Sequence, residues 1–174
     1  MKFYVAKLLS VLGRFYPLYS GCGNIANSKF CRWALEQTSE PAWICLRHGA
    51  WMLTPMNDYN GRALFYFGEI DPKITWICKQ ILRQGDTVLD MGANLGLYSI
   101  ISREIVGSSG QVHAFEPQPT LVELMRQSLE KNDYSDVVIH NLALGEEKKT
   151  AVLLIPVDNL GAASLIRQSD QPCD

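Results

Sequence analysis

The residues with chemistry within reach fall in two short stretches. The first is "GDTVLDMGANLGLYS" (85–99), where Asp90 closes an apolar run and Gly92 and Gly96 bracket Asn94. The second is "QVHAFE" (111–116), where Glu116 ends the next apolar run, 20 residues beyond Gly96. Glycines let the backbone come close to a ligand. Asn94 is the non-glycine type that best tolerates a left-handed turn. Glu116 can accept two hydrogen bonds from a vicinal diol, and dinucleotide folds keep a ribose-binding acid at about this distance. Each residue also has a plainer reading. Gly-x-x-x-Gly is often only a tight turn, Asp90 could cap the next helix, and Glu116 before Pro117 could be a solvated strand end. The order and spacing of all three together favour a ligand site.

Two ligand classes share this geometry. A nicotinamide dinucleotide needs its pyrophosphate cradled, usually by G-x-G-x-x-G. Here the pattern is D-x-G-x-x-x-G, without the middle glycine. A carboxylate about 4 Å from a phosphate charge costs roughly 4 kcal/mol at an effective dielectric of about 20. S-adenosylmethionine carries no phosphate. Its ammonium and sulfonium suit a nearby carboxylate, and its own carboxylate suits a helix N-terminus. Asp90 therefore favours S-adenosylmethionine over a dinucleotide.

These residues need a parallel sheet behind them. Asp71 and Pro72 are a good cap and first position for a helix whose inner face is Ile74, Ile77, Cys78, Ile81 and Leu82. "TVLDM" (87–91) reads as a short strand, apolar on both faces until Asp90 and suited to the inside of a parallel sheet. A helix follows with Leu97, Ile100, Ile101, Glu104 and Ile105 inward, then the strand 111–116. The next helix starts at Pro119 and turns Leu121, Leu124, Met125 and Leu129 inward. "DVVIHNLAL" (136–144) is a third strand, and "TAVLLIPV" (150–157) a fourth, antiparallel to the third. This β-α-β-α-β order predicts right-handed crossovers, with ligands at the carboxyl ends of the strands. Upstream, 42–55 reads as a hairpin around His48-Gly49, and "GRALFYFGEI" as another strand.

The bulk composition excludes several classes. The chain has 174 residues, 47% hydrophobic and 20% charged, which is enough for one packed domain. A net charge of −2, with Lys and Arg spread along the chain, argues against a dedicated nucleic-acid binder. Cys22, Cys31, Cys45, Cys78 and Cys173 form no CxxC pair. Reduced thiols in the cytoplasm are expected, with no metal site. "MKFYVAKLLSVLGRFY" is broken by Lys7 and Arg14 and cannot span a bilayer. It reads as an amphipathic helix packed on the protein, with a membrane-surface helix as the alternative. "YSGC" (19–22) is a poor lipoprotein cleavage site.

With these motifs in place, a resemblance becomes specific. "GDTVLDMGANLGLYS", "GQVHAFEPQPTLVELMRQSLEKN", "NLALGEE", "NLGAASL" (159–165) and "FGEIDP" (67–72) resemble the FkbM family of S-adenosylmethionine-dependent methyltransferases. The resemblance covers roughly residues 60–166. It implies a Rossmann-like class I methyltransferase sheet, incomplete at its C-terminal end, behind an N-terminal helical and hairpin extension. It implies that Asp90, Gly92, Ala93, Asn94 and Gly96 line the cofactor loop and that Glu116 holds the ribose. Asn141, Leu142 and Ala143 would lie near the adenine, through backbone contacts. Glu69 is a weak candidate at the cofactor mouth, with a surface position as its plainer reading. The implied acceptor is a sugar or small-molecule hydroxyl. No catalytic base can be named, and His113 and His140 read as structural or exposed.

The family's later segment resembling "iDliKiDvEGaE" has no counterpart here, so the expectation is a truncated or split cofactor-binding part. The strand "TVLDM" then has an uncovered edge, a pairing hazard for the hairpin or a partner chain to cover. The expected divisions are 1–40 (helical extension), 41–70 (hairpin and strand lead-in), 71–166 (partial cofactor domain) and 167–174 (polar tail). Two functions follow, an O-methyltransferase or an inactive remnant that binds cofactor or a partner.

Overall fold

The computed structural model describes residues 1–15, 20–36, 38, 40–148, 150–156 and 158–165. The tail 167–174, Cys173, Tyr19 and Val157 therefore lie outside the described residues. Three helices open the chain: α1 (Lys2–Gly13), α2 (Cys22–Ala26) and α3 (Lys29–Leu35). The hairpin follows as β1 (Ala42–Cys45) and β2 (Trp51–Thr54), antiparallel, with Cys45 opposite Trp51. A first core joins these elements to the next helix through Ala6, Cys31, Leu35, Ile44, Ala63 and Tyr66.

That next helix, α4 (Tyr59–Phe67), replaces the strand expected at "GRALFYFGEI". Asp58 caps it, its Oδ2 accepting from the amides of Asn60 (2.8 Å) and Gly61 (3.0 Å). Gly68 ends it in the left-handed region at φ 64°. Every residue from Gly61 to Phe67 is buried. A helix wrapped on all sides shows no one-sided apolar stripe, so its period was invisible.

The second half is the expected parallel sheet: β3 (Thr87–Met91), β4 (Gln111–Phe115) and β5 (Val138–His140), in the order β3-β4-β5. The crossovers are α6 (Leu97–Val106) and α7 (Pro119–Lys131), preceded by α5 (Pro72–Ile81) with Asp71 and Pro72 at its start as expected. Asp90 pairs with Ala114, and Met91 with Phe115. Val88, Val112 and Ala114 pack with Ile100, Ile101, Leu121, Met125 and Leu129. Among the described residues nothing covers the other sheet face, which is bare. On it Leu89 is 58% and Met91 70% exposed. His113 and His140 share that face, ring nitrogens 3.1 Å apart, with Phe115 stacked on His140.

Three further expectations change. The third strand covers only Val138–His140 of 136–144, and Leu142 and Leu144 are exposed. The fourth shrinks to β6 (Leu153–Leu154), which pairs with β7 (Ser164–Leu165) and not with β5. On α5, Cys78 and Leu82 reach the core, but Ile74, Ile77 and Ile81 face outward. That helix packs on α6, which leaves this part of its stripe exposed. The open edge expected for β3 is present, and the hairpin does not cover it. The hairpin docks on α7, where Asn132 and Ser128 serve the backbone of β2: Trp51 N to Asn132 Oδ1 at 2.8 Å, and Leu53 N to Ser128 Oγ at 2.9 Å. Among the described residues no helix is long and apolar enough to cross a membrane, and no cluster of three metal-ligating groups forms.

Candidate cofactor site

A cavity of about 330 Å3 opens at the carboxyl ends of β3 and β4, where open α/β sheets take their ligands. Its floor is the loop Gly92–Leu95, its wall Glu116 and Gln118, and its roof Leu160 and Gly161. A larger cavity of about 510 Å3, lined by Arg32, Trp33, Asn57 and Arg62, lies under the N-terminal helices, away from the strand ends.

The loop is held from within. The amides of Gly92 and Ala93 both donate to Phe115 O at 2.9 Å. Asn94 N donates to Glu116 Oε2 at 2.9 Å, Leu95 N to Asn94 Oδ1 at 2.8 Å, and Gly96 N to Ala93 O at 2.7 Å. Asn94 sits at φ 53° and Gly92 at φ 81°. All five of these amides are thus occupied within the protein. The backbone at Gly92 is open, since a Cβ there would meet nothing within 4 Å.

Glu116 is 3% exposed, and both its oxygens are engaged: Oε2 by Asn94 N, and Oε1 by Gln118 N at 2.9 Å. It is no solvated strand end. It ties the glycine loop to the start of α7, and each oxygen keeps a second lone pair for a ligand hydroxyl. Asp90 does not line the cavity. Its Oδ2 accepts from Ser99 Oγ at 2.6 Å, inside the first turn of α6. Burial raises its pKa, and the Ser99 hydroxyl and amide pull it partly back. Asp90 thus bonds to the first turn of α6 from behind the loop, while Gly96 holds the N-cap position. Gly96 also stands behind it, at φ 85°, where a Cβ would come 2.5 Å from Met125 Cγ.

Of the residues singled out from the sequence, Gly92, Ala93, Asn94 and Glu116 meet on the cavity wall. Asn141 lies outside it and pins the strand end, its Nδ2 donating to Glu116 O (2.9 Å) and Pro117 O (3.0 Å). Leu142 and Ala143 are exposed and not part of the wall. Glu69 is 3% exposed and takes the Thr75 hydroxyl at 2.9 Å, so the surface position expected for it is corrected. Tyr98 lines the cavity, its phenol pushed up first by burial and then by Glu69.

The sequence did not reveal Asn60 or Asp58. Asp58 Oδ1 accepts from Leu160 N at 2.8 Å, while Gln118 Nε2 donates to Leu160 O at 2.9 Å. These bonds strap "NLGAAS" across the cavity. The strap runs close over two side-chain amides, since a Cβ at Gly161 would sit 2.8 Å from Asn60 Nδ2 and 3.2 Å from Asn94 Nδ2. The strap itself was legible as a motif, but its anchors carry no local pattern.

Residues 46–147 match the profile of the family "Protein-L-isoaspartate(D-aspartate) O-methyltransferase (PCMT)". A protein-L-isoaspartate O-methyltransferase of Methanothrix thermoacetophila is 32% identical over 91 residues, covering 52% of this chain and 42% of that protein. One from Methanococcus aeolicus is 32% identical over 91 residues, covering 52% and 40%. The chain thus spans about two-fifths of the length of these relatives. A solved S-adenosylmethionine-dependent O-methyltransferase from Thermotoga maritima overlaps 61% of this chain and 57% of its own, at 17% identity and a TM-score of 0.40. The family matched is PCMT and not FkbM: the glycine-loop and acid motifs identify the cofactor fold more sharply than its branch. The homologues use S-adenosylmethionine. On the match over residues 46–147, the chain belongs to the protein-L-isoaspartate(D-aspartate) O-methyltransferase (PCMT) family of methyltransferases.

Proposed function

We propose that this chain binds S-adenosylmethionine at the ends of β3 and β4 and serves methyl transfer to a carboxylate oxygen. When bound, S-adenosylmethionine supplies an electrophilic methyl: an acceptor oxygen lone pair forms the new O–C bond, the C–S electrons stay on sulfur, and S-adenosylhomocysteine and the methylated acceptor result. Gly92, Ala93 and Asn94 give the ligand a close backbone surface, and Glu116 offers spare lone pairs to the ribose. Asp90 and Gly96 position the start of α6. Positioning of nucleophile and methyl then carries most of the rate.

The observation favouring a carboxylate is the absence of a general base on the cavity wall among the described residues. Its titratable groups are Glu116, held by two amides, and Tyr98, whose phenol is pushed up. His113 and His140 stand on the bare sheet face. A hydroxyl acceptor, as the FkbM resemblance implies for sugars and small molecules, must lose its proton to a base. A carboxylate is already ionised at neutral pH. The relatives' names point the same way, to an isoaspartyl residue in a protein. The partner is then a protein or peptide, and the cytoplasm remains the proposed compartment. A second reading is binding without turnover, favoured by the bare face and edge of the sheet.

Calorimetry with S-adenosylhomocysteine, and radiolabelled methyl transfer to an isoaspartyl peptide or a methyl glycoside, test these readings. Binding with peptide methylation supports the proposal. Glycoside methylation restores the hydroxyl reading, and binding with neither supports the inactive one. No binding at millimolar ligand overturns the site.

A further inference from the structure

We propose that the N-terminal helices form a docking surface for an anionic lipid bilayer, with α1 lying in the plane of the interface. Helix α1 is mostly apolar, broken by Lys2, Lys7 and Ser10, and only one side of it is covered. Ala6 is fully buried against the protein. On the opposite side Tyr4 (77%), Leu8 (63%), Leu12 (61%) and Phe15 (80%) are exposed at helical spacing, with Val11 beside them. These residues fall within an arc of about 100°, the width of an interfacial apolar stripe. Phe30 and Trp33 of α3 are also exposed and stack on each other, their centroids 5.8 Å apart.

Charge selects the occupant. Residues 1–35 hold Lys2, Lys7, Arg14, Lys29 and Arg32, and none of the chain's 18 Asp and Glu. The whole chain has a net charge of −2, so its first fifth is a basic module on an acidic protein. Lys2 Nζ lies 5.2 Å over the Trp33 ring and Lys7 Nζ 4.9 Å over the Phe3 ring, so both ammoniums rest on exposed apolar surface. Arg14 turns inward to Cys45 O, Lys2 pairs with Glu36, and Arg32 approaches Asp158. Lys7 and Lys29 make no ion pair among the described residues. A second copy of the chain would bring like-charged Lys7 and Lys29 together with no acid from residues 1–35 to offset them. A polyanion such as duplex DNA would use the cations and leave the apolar stripe in water. Anionic lipid satisfies both, through headgroup charge and acyl burial.

The test is co-sedimentation of the full chain with phosphatidylcholine vesicles, with and without about 30% phosphatidylserine. Binding is expected only with the anionic lipid, weakening about tenfold or more in 0.5 M salt as exposed charges are screened. Leu8→Asp/Leu12→Asp should weaken it by about tenfold or more, because the apolar stripe supplies insertion. Both sites are exposed, so circular dichroism and urea unfolding should not change. Lys7→Glu/Lys29→Glu should also weaken binding. Failure to bind anionic vesicles overturns the proposal. So does binding that ignores Leu8→Asp/Leu12→Asp, a dimer that this variant dissolves, or duplex DNA binding that survives it.

Discussion

Glu116 offers the sharpest separation of scaffold from ligand contact. Its two oxygens take the amides of Asn94 and Gln118, both at 2.9 Å, in a site only 3% exposed. Hydrogen bonds to a charged acceptor contribute about 1.5–3 kcal/mol each. Glu116→Gln keeps one acceptor but turns an NH2 group toward the other amide. It should cost about 2–3 kcal/mol, or roughly 1 M in the urea midpoint for a slope of about 2 kcal/mol/M. Glu116→Ala loses both bonds and should cost about 3–6 kcal/mol. Were Glu116 only a ribose ligand, both variants would stay within about 0.5 kcal/mol of the parent. Urea denaturation followed by circular dichroism, without ligand, distinguishes these outcomes, and two unshifted midpoints would refute the reasoning. Calorimetry with S-adenosylhomocysteine then reads the loop. Freeing Asn94 lets residues 92–95 open, so Kd for Glu116→Gln should rise about tenfold, equivalent to about 1.4 kcal/mol. A ligand lacking the ribose 2′-hydroxyl should bind the parent more weakly than the full ligand, yet bind Glu116→Gln no more weakly.

Three further outcomes follow from the same geometry. Gly96→Ala combines a left-handed φ with a clash on Met125, and should cost about 2–4 kcal/mol in urea unfolding, against about 1–2 for Gly92→Ala, whose space is open. Asp90 is held protonated by burial to a higher pH than in the unfolded chain, so ionisation favours unfolding and stability falls as pH rises from about 4 toward the raised folded value. Asp90→Asn should flatten that part of the profile in thermal melts across pH, and should weaken S-adenosylmethionine more than S-adenosylhomocysteine if the carboxylate acts on the sulfonium. Leu89→Lys and Met91→Lys, on the bare face, should stay within about 0.5 kcal/mol of the parent by urea unfolding, whereas Val112→Lys on the covered face should abolish folding.

The parts of the fold read correctly from the sequence are those with local, one-sided signals. Asp71-Pro72 announced α5, the His48-Gly49 turn between two β-runs announced the hairpin, and the run from Thr87 to Glu116 announced a strand–turn–helix–strand. Helix α4 was misread because tertiary contacts cover it on every side, erasing the stripe that marks a helix. The ends of 136–144 and 150–157 were overextended because apolar composition was taken for pairing, and pairing depends on distant partners. In the site, the cavity floor was legible and its roof only as a motif. Asp58 anchors a strap about a hundred residues away, and no spacing rule reaches that far. The carboxylate of Asp90 was expected beside the ligand, but it lies off the cavity wall, and its partner is Ser99 in the first turn of α6.

The arrangement of the loop carries a consequence for binding. A glycine turn left to itself pays conformational entropy each time it closes on a ligand. Here Phe115 O, Glu116 and Ala93 O already hold its amides, so that cost is met in the folded chain and ligand contacts count more fully toward affinity. The supporting strands are less complete. Leu89 and Met91 flank Asp90 on the bare face, and Met91 immediately precedes Gly92. Parallel sheets are ordinarily covered on both faces. Any layer laid on Leu89 and Met91 therefore presses on the strand end that sets the cofactor loop. Ligand affinity and occupation of that face should rise and fall together, since whatever fixes the strand end stabilises both.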